Sequence, residues 1–180
     1  MPHKDIRKSK VIRIGSKAKV TDLAAVRRVV EGLADSGPMT LEQEDTFFAC
    51  PRGRMKLRRF AGCAQAELIY YERSPNSGPK ECHYIVHPTA DPEGLREVLS
   101  AALDIRGVVR KRRTVYLVGQ TRVHLDEVEG LGAFVELEVV LQPQENSSDG
   151  VAMAHELMVK LGISQNQLID RAYIDLLQER

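Results

Sequence analysis

Residues 122–141 read R-V-H-L-D-E-V-E-G-L-G-A-F-V-E-L-E-V-V-L. Two alternating runs flank a Gly-Leu-Gly turn, the pattern of a β-hairpin. In the second run Val135, Leu137, Val139 and Leu141 share one face, and Glu136 and Glu138 take the other. In the first run Val123 and Leu125 oppose Arg122, His124 and Asp126. Side chains alternate across a strand, so Asp126, Glu136 and Glu138 gather on one side of the hairpin while aliphatic residues fill the other.

Strands upstream carry the opposite charge in the same alternation. In Arg54–Phe60, Met55 and Leu57 oppose Arg54, Lys56 and Arg58. Gly107–Gly119 contains V-V-R-K-R-R-T-V-Y-L-V, which sets Lys111 and Arg113 on one face. Further strands are expected over Lys10–Val20, Met39–Cys50, Ala66–Arg73 and Glu81–His87. Gly15-Ser16 weakens the first of these, because glycine offers no side chain to pack. Thr21 or Asp22 caps a helix whose apolar stripe is Leu23, Val26, Val29, Val30 and Leu33, and Ser36-Gly37-Pro38 stops it. Asp91-Pro92 opens a helix reaching about Leu103. Ser74–Pro79 and Gln142–Gly150 read as loops. Val151–Leu161 is helical up to Gly162, Ser164 caps a short helix to about Asp170, and Ala172–Leu177 makes a last turn. About eight strands, mostly in hairpin order, with three or four helices make an α+β chain, and the short connections favour antiparallel pairing. A flat sheet would put the charged faces in water. A closed barrel would put them in a lumen, with helices covering the aliphatic outside.

The chain has 180 residues, enough for one domain with a full core. We read residues 1–10 as a loose basic segment and residues 11–180 as a single domain. The net charge of +1 hides a segregation, with cations near 52–59 and 106–113 and acids near 126–138. That near-neutral total argues against a general nucleic-acid coat. Cys50, Cys63 and Cys82 are an odd count without C-x-x-C spacing, which points to free thiols in a reducing compartment rather than a zinc site. No apolar run approaches membrane-spanning length and the N-terminus has no signal-peptide core, so a soluble, cytoplasmic protein is expected. The absence of G-x-x-x-x-G-K-[ST], G-x-G-x-x-G and H-E-x-x-H leaves P-loop, Rossmann and zincin mechanisms unsupported.

Asp126, Glu136 and Glu138 read either as a hard-cation site for Mg²⁺ or Mn²⁺ or as a solvated strand face. Lys56, Arg58, Lys111, Arg113 and Arg122, with Arg73 at the end of its strand, read either as donors to a phosphate chain or as an exposed basic face. His124 fits a general acid or base, or a hydrogen-bonded structural residue. Tyr70, Tyr71 and Tyr116 fit base stacking or a barrel wall.

The segments Q-E-D-T-F-F-A-C-P-R-G-R-M-K-L-R (43–58), A-E-L-I-Y-Y-E-R (66–73), V-V-R-K-R-R-T-V-Y (108–116) and R-V-H-L-D-E-V-E-G-L-G-A-F-V-E-L-E (122–138) together resemble the CYTH superfamily. This group of triphosphate tunnel metalloenzymes includes class IV adenylyl cyclases and thiamine triphosphatases, and the likeness is closest to the cyclase-like branch. The resemblance implies an eight-stranded antiparallel tunnel with a charged lumen. It implies that Lys56, Arg58, Arg73, Lys111, Arg113 and Arg122 hold a triphosphate, and that Asp126, Glu136 and Glu138 hold Mg²⁺ or Mn²⁺. Lys17, Arg113 and His124 are the catalytic candidates. The substrate implied is ATP, thiamine triphosphate or inorganic triphosphate, attacked by water or by the ribose 3′-hydroxyl, in a protein compatible with a homodimer. One departure stands out. The family's first-strand motif is Glu-x-Glu-x-Lys; this chain keeps Lys17 but has Arg13 and Gly15 at the acidic positions. The alternative expectation is therefore a module that binds nucleoside triphosphate or polyphosphate without turnover.

Overall fold

A computed structural model describes residues 11–73 and 79–180 of the chain. Its strands are β1 (Val11–Val20), β2 (Ser36–Phe48), β3 (Arg54–Phe60), β4 (Ala66–Arg73), β5 (Lys80–Thr89), β6 (Ile105–Val118), β7 (Thr121–Val128) and β8 (Gly132–Val140). Every neighbouring pair is antiparallel, and the order β1-β5-β4-β3-β2-β6-β7-β8 returns to β1. The sheet is thus a closed barrel, which leaves no unpaired edge. The basic segment 1–10 and most of the loop expected at Ser74–Pro79 lie outside the described residues.

The aliphatic faces point outward, beneath helices α1 (Leu23–Leu33), α2 (Pro92–Ala102) and α3 (Ser147–Lys160). Val123, Leu125, Val135 and Leu137 are buried against Val26 and Val30 of α1 and Leu157 and Met158 of α3. Leu57 and Phe48 pack under Leu95 and Leu99 of α2. The last helix, α4 (Tyr173–Gln178), goes elsewhere. Its Tyr173 and Ile174 pack on Phe47, Ile69, Tyr71, Val109 and Phe134. Asp175 anchors it, accepting both terminal nitrogens of Arg54 at 2.9 and 2.7 Å and Arg106 at 3.3 Å.

Local chemistry sets the ends of the elements. Asp22, not Thr21, caps α1 by accepting from the Ala25 amide at 2.8 Å. The α3 helix starts at Ser147, earlier than its apolar pattern, because Asn146 and Asp149 form a reciprocal capping box. The segment after Ser164 is only a three-residue 3-10 turn, Gln165–Gln167. The strand expected from Met39 already begins at Ser36, just past the helix end: β2 pairs with β6 from Ser36, with a register shift before Met39. Gly37 has φ 113° and a Cβ there would sit 2.8 Å from the Val115 carbonyl oxygen, so the bulge requires glycine. Gly15 and Ser16 do not interrupt β1; they pair with Glu138 and Leu137. The three cysteines are free thiols. Among the described residues, no helix is long and apolar enough to cross a membrane.

Candidate functional site: the charged bore

Closure turns the polar faces of the strands into the wall of one cavity of about 1360 Å³. Arg13 and Lys17 enter from β1, Gln43 and Asp45 from β2, and Lys56 and Arg58 from β3. Lys111 and Arg113 come from β6, Arg122 and His124 from β7, and Glu136 and Glu138 from β8. The cross-strand register fixes who meets whom: Asp45 lies opposite Arg58, Arg113 opposite Asp126, His124 opposite Glu136, and Lys17 opposite Glu136 on the other side.

Two ionic clusters result. In the first, Asp45 is 1% exposed and accepts from Lys56 at 2.8 Å and from Arg58 at 2.7 and 2.8 Å, with Lys111 Nζ at 3.7 Å. Burial pushes the Asp45 carboxyl up, but Arg58, Lys56 and Lys111 outweigh it and hold the group well below the usual carboxylate range. Burial and the neighbouring Arg58 bring Lys56 down to about 8, against the opposing pull of Asp45. Burial and Arg113 likewise push Lys111 well below the ordinary lysine value. These ammonium groups sit among rings: Lys56 Nζ is 5.4 Å from the Phe47 centroid and Lys111 Nζ 5.2 Å from that of Tyr173.

The second cluster centres on Arg113. Its guanidinium grips Asp126 at 2.7 and 2.6 Å and reaches Glu136 at 2.6 Å. Tyr173 donates its phenol to Asp126 at 2.8 Å, so α4 is fastened to the ion pair. Burial raises the Asp126 carboxyl, and Arg113 more than reverses this, to about 2. Glu136 is also held well below its normal range, burial being outweighed by Arg113, His124 and Lys17. Lys17 donates to the Arg171 carbonyl at 3.1 Å, with its Nζ 3.9 Å from the Tyr173 ring centroid. Burial and Arg113 lower the pKa of His124, against the opposing pull of Glu136 and Glu138, and its Nδ1 lies 3.9 Å from Glu136. Higher in the bore, Glu138 accepts from Arg13 at 2.7 Å and from Arg122 at 3.4 Å. Four buried atoms of wall residues have no hydrogen-bond partner among the described residues: Arg13 Nε, Gln43 Oε1, His83 Nδ1 and His124 Nδ1.

The structure thus brings Lys17, Lys56, Arg58, Lys111, Arg113, His124, Glu136 and Glu138 to one cavity. Asp126 lies behind that wall, 0% exposed beneath Tyr173. Arg122 stands at the rim, its side chain 45% exposed. Arg73 ends β4, but its side chain lies outside the described residues. Of the tyrosines, Tyr71 lines the bore, stacked on Tyr84 with centroids 5.5 Å apart. Tyr116 faces outward and donates to Glu31. Sequence reasoning missed Asp45 as the hub of the basic cluster, Tyr173 as the cover on Asp126, and Arg13 as the partner of Glu138. Asp45 was hidden because Q-E-D-T-F-F has a phenylalanine and an acid on each face, so alternation assigns neither face to the core.

A family profile for the CYTH domain matches residues 12–173. The chain belongs to the CYTH domain family. It is 33% identical over 86 residues to the adenylate cyclase CyaB of Aeromonas hydrophila, a stretch covering 48% of this chain and 41% of that protein. The chain spans half or less of the length of the curated relatives it matches, 41% and 50%. A Pyrococcus horikoshii OT3 protein, PH1012, superposes with a TM-score of 0.83 at 26% identity, over 91% of this chain and 98% of that one. A proposed adenylyl cyclase of Hippeastrum, HpAC1, described as having a dominant triphosphatase activity, shares the fold at TM-score 0.66 and 16% identity, over 94% of this chain and 95% of that one.

Membership of the CYTH family implies a divalent metal. Asp126, Glu136 and Glu138 have the hard oxygens such an ion takes, but each already faces a guanidinium. Both Asp126 oxygens are bonded to Arg113, and the two first-strand positions contribute Arg13 and Gly15 instead of carboxylates. Among the described residues, no three His, Cys, Asp or Glu side chains are placed to hold a metal ion. As folded, the donor set does not fit a resident metal.

Proposed function

We propose that the bore binds the phosphate chain of a triphosphate-bearing small molecule: ATP, thiamine triphosphate or inorganic triphosphate. The observation that carries this reading is the packing of Lys56, Arg58, Lys111 and Arg113 into one enclosed cavity. Asp45, Asp126 and Glu136 balance the cluster in the free chain, and a phosphate chain offers the same cations an alternative anionic partner. Arg58 and Arg113 offer planar forks that suit paired phosphate oxygens, while Lys56 and Lys111 act as point charges. Its test is calorimetry with inorganic triphosphate, and absence of binding overturns the reading.

The CYTH relatives named for adenylate cyclase support turnover as the fuller form of this function. An attacking oxygen forms a bond to phosphorus as the bond to the leaving phosphate oxygen breaks. Water as the attacker yields orthophosphate; a ribose 3′-hydroxyl yields cyclic AMP and pyrophosphate. His124, on the cavity wall with no hydrogen bond on its Nδ1 among the described residues and with burial favouring its neutral form, would accept the attacker's proton. Arg113, Lys111 and Lys17 would carry the charge that develops on the phosphates. Holding Mg²⁺ or Mn²⁺ at Asp126, Glu136 and Glu138 would first require Arg113 and Arg13 to release those carboxylates. A second reading, binding without turnover, is favoured by Arg13 and Gly15 standing at the acidic positions of the first strand. Incubation with each triphosphate and Mg²⁺ or Mn²⁺, followed by assay for orthophosphate, pyrophosphate and cyclic nucleotide, separates the two. A cytoplasmic location and a homodimer belong to the same proposal, to be checked by fractionation and light scattering.

A further inference from the structure

From the Arg13–Glu138 contact we infer that Arg13 supplies in the bore the positive charge that a divalent metal would bring, so that the ligand bound is the metal-free triphosphate. The inference rests on the triphosphate reading and goes further by naming the ionic species. Arg13 projects into the cavity from β1 and donates to Glu138 at 2.7 Å. Its guanidinium lies 5.2 Å from the Tyr84 ring centroid, which helps to fix its position. Its buried Nε has no acceptor among the described residues, so the donors of the fork are not all satisfied by the chain. Two residues along, Gly15 pairs directly with Glu138, and a Cβ there would find no atom nearer than 4.0 Å. The backbone there accepts a side chain at its first atom, so glycine is not imposed by crowding at Cβ.

The charge balance points the same way. Replacing two carboxylates by Arg13 and Gly15 moves the formal charge of the bore by three units toward positive, more than a divalent ion adds. A metal entering beside Glu138 would meet the Arg13 and Arg122 guanidiniums already on that carboxylate. Coordination would mean displacing a charge-assisted hydrogen bond. A free triphosphate, by contrast, can compete with Glu138, Glu136 and Asp45 for the donors they now hold: Arg13, Arg113, Arg58 and Lys56, with Lys111 beside them.

The test is calorimetric titration of the full chain with sodium tripolyphosphate, once in EDTA and once in excess MgCl₂. The expected result is binding in EDTA, at an affinity that Mg²⁺ leaves unchanged or lowers. Arg13→Gln should weaken binding in EDTA by about tenfold or more, the scale of one lost bond between charged groups, and Mg²⁺ should not restore it. The double variant Arg13→Glu with Gly15→Glu should bind only when Mg²⁺ is present. Binding by the unaltered chain that requires Mg²⁺ overturns the inference and leaves the triphosphate reading standing. An Arg13→Gln chain that binds as tightly as the parent in EDTA also overturns it. Binding under neither condition removes the triphosphate reading itself.

Discussion

Asp45→Asn tests whether the basic cluster of the bore is held in check by an internal anion whose place a phosphate takes. The substitution keeps the size of the side chain and removes its charge. It strips the partner from Lys56 at 2.8 Å and from the Arg58 fork at 2.7 and 2.8 Å, and leaves Lys111 without the carboxylate 3.7 Å away. Asp45 is 1% exposed, so water does not substitute for it. Breaking a buried ion pair from one side costs about 3–5 kcal/mol. For a chain of this size each kcal/mol moves Tm by about 2–4 °C, so the unliganded variant should melt about 6–20 °C below the parent. Inorganic triphosphate should reverse much of that loss. Binding at a hundred times Kd adds about 2.7 kcal/mol to any folded state. The variant should gain more than the parent at equal ligand concentration, since its phosphate chain no longer competes with a carboxylate. Differential scanning fluorimetry in an anion-poor buffer, with and without triphosphate, reads both quantities. A variant that melts with the parent in the absence of anions, or that is stabilised less by triphosphate, refutes the reasoning.

Lys56 predicts a pH limit on binding. With its pKa near 8, it is charged below that pH and neutral above it, so triphosphate affinity measured by calorimetry should decline above pH 8, by about tenfold per unit for one coupled proton. Stability of the free protein should move oppositely: between about 8 and the ordinary value of 10.5 the unfolded chain holds the extra proton, so this group makes folding more favourable as pH rises through that window. Tyr173→Phe removes the 2.8 Å bond to Asp126 and should cost about 1.5–3 kcal/mol in urea unfolding, the range for bonds to charged groups; a loss near zero would mean that α4 is not fastened through the phenol. Leu125→Ala, at a site 1% exposed between the barrel and its helices, should cost about 2–5 kcal/mol with an unchanged denaturant m-value.

The hairpin at 122–141 was legible because one face of each run is purely aliphatic. Burial of Val123, Leu125, Val135 and Leu137 under α1 and α3 fixes which way every other residue points. The same logic placed Lys56 and Arg58 opposite Leu57, and Lys111 and Arg113 together on one face of their own strand. It failed at β2, where apolar and charged residues occupy both faces, and Asp45 was passed over. It also failed where a cap rather than a hydrophobic period starts an element, as at Asn146. Pairings across the barrel were beyond it altogether. Arg13 and Glu138 are 125 residues apart, and only closure of β1 onto β8 brings them to 2.7 Å.

Closure also gives the net charge of +1 its physical meaning. Charge segregated along the chain is recombined in space, since Asp45 from an early strand satisfies the cations of β3 and β6, while Arg113 of β6 satisfies the acids of β7 and β8. A bore balanced this closely is stable without a ligand, yet each of its ion pairs can be exchanged for one with phosphate. In that setting the identity of one first-strand residue decides what must accompany the anion. A carboxylate at position 13 would repel a triphosphate unless a cation came with it, whereas Arg13 attracts the triphosphate directly. On the proposed triphosphate reading, the departure of this chain from the acidic first strand changes the charge the ligand must carry, while the fold that receives it stays the same.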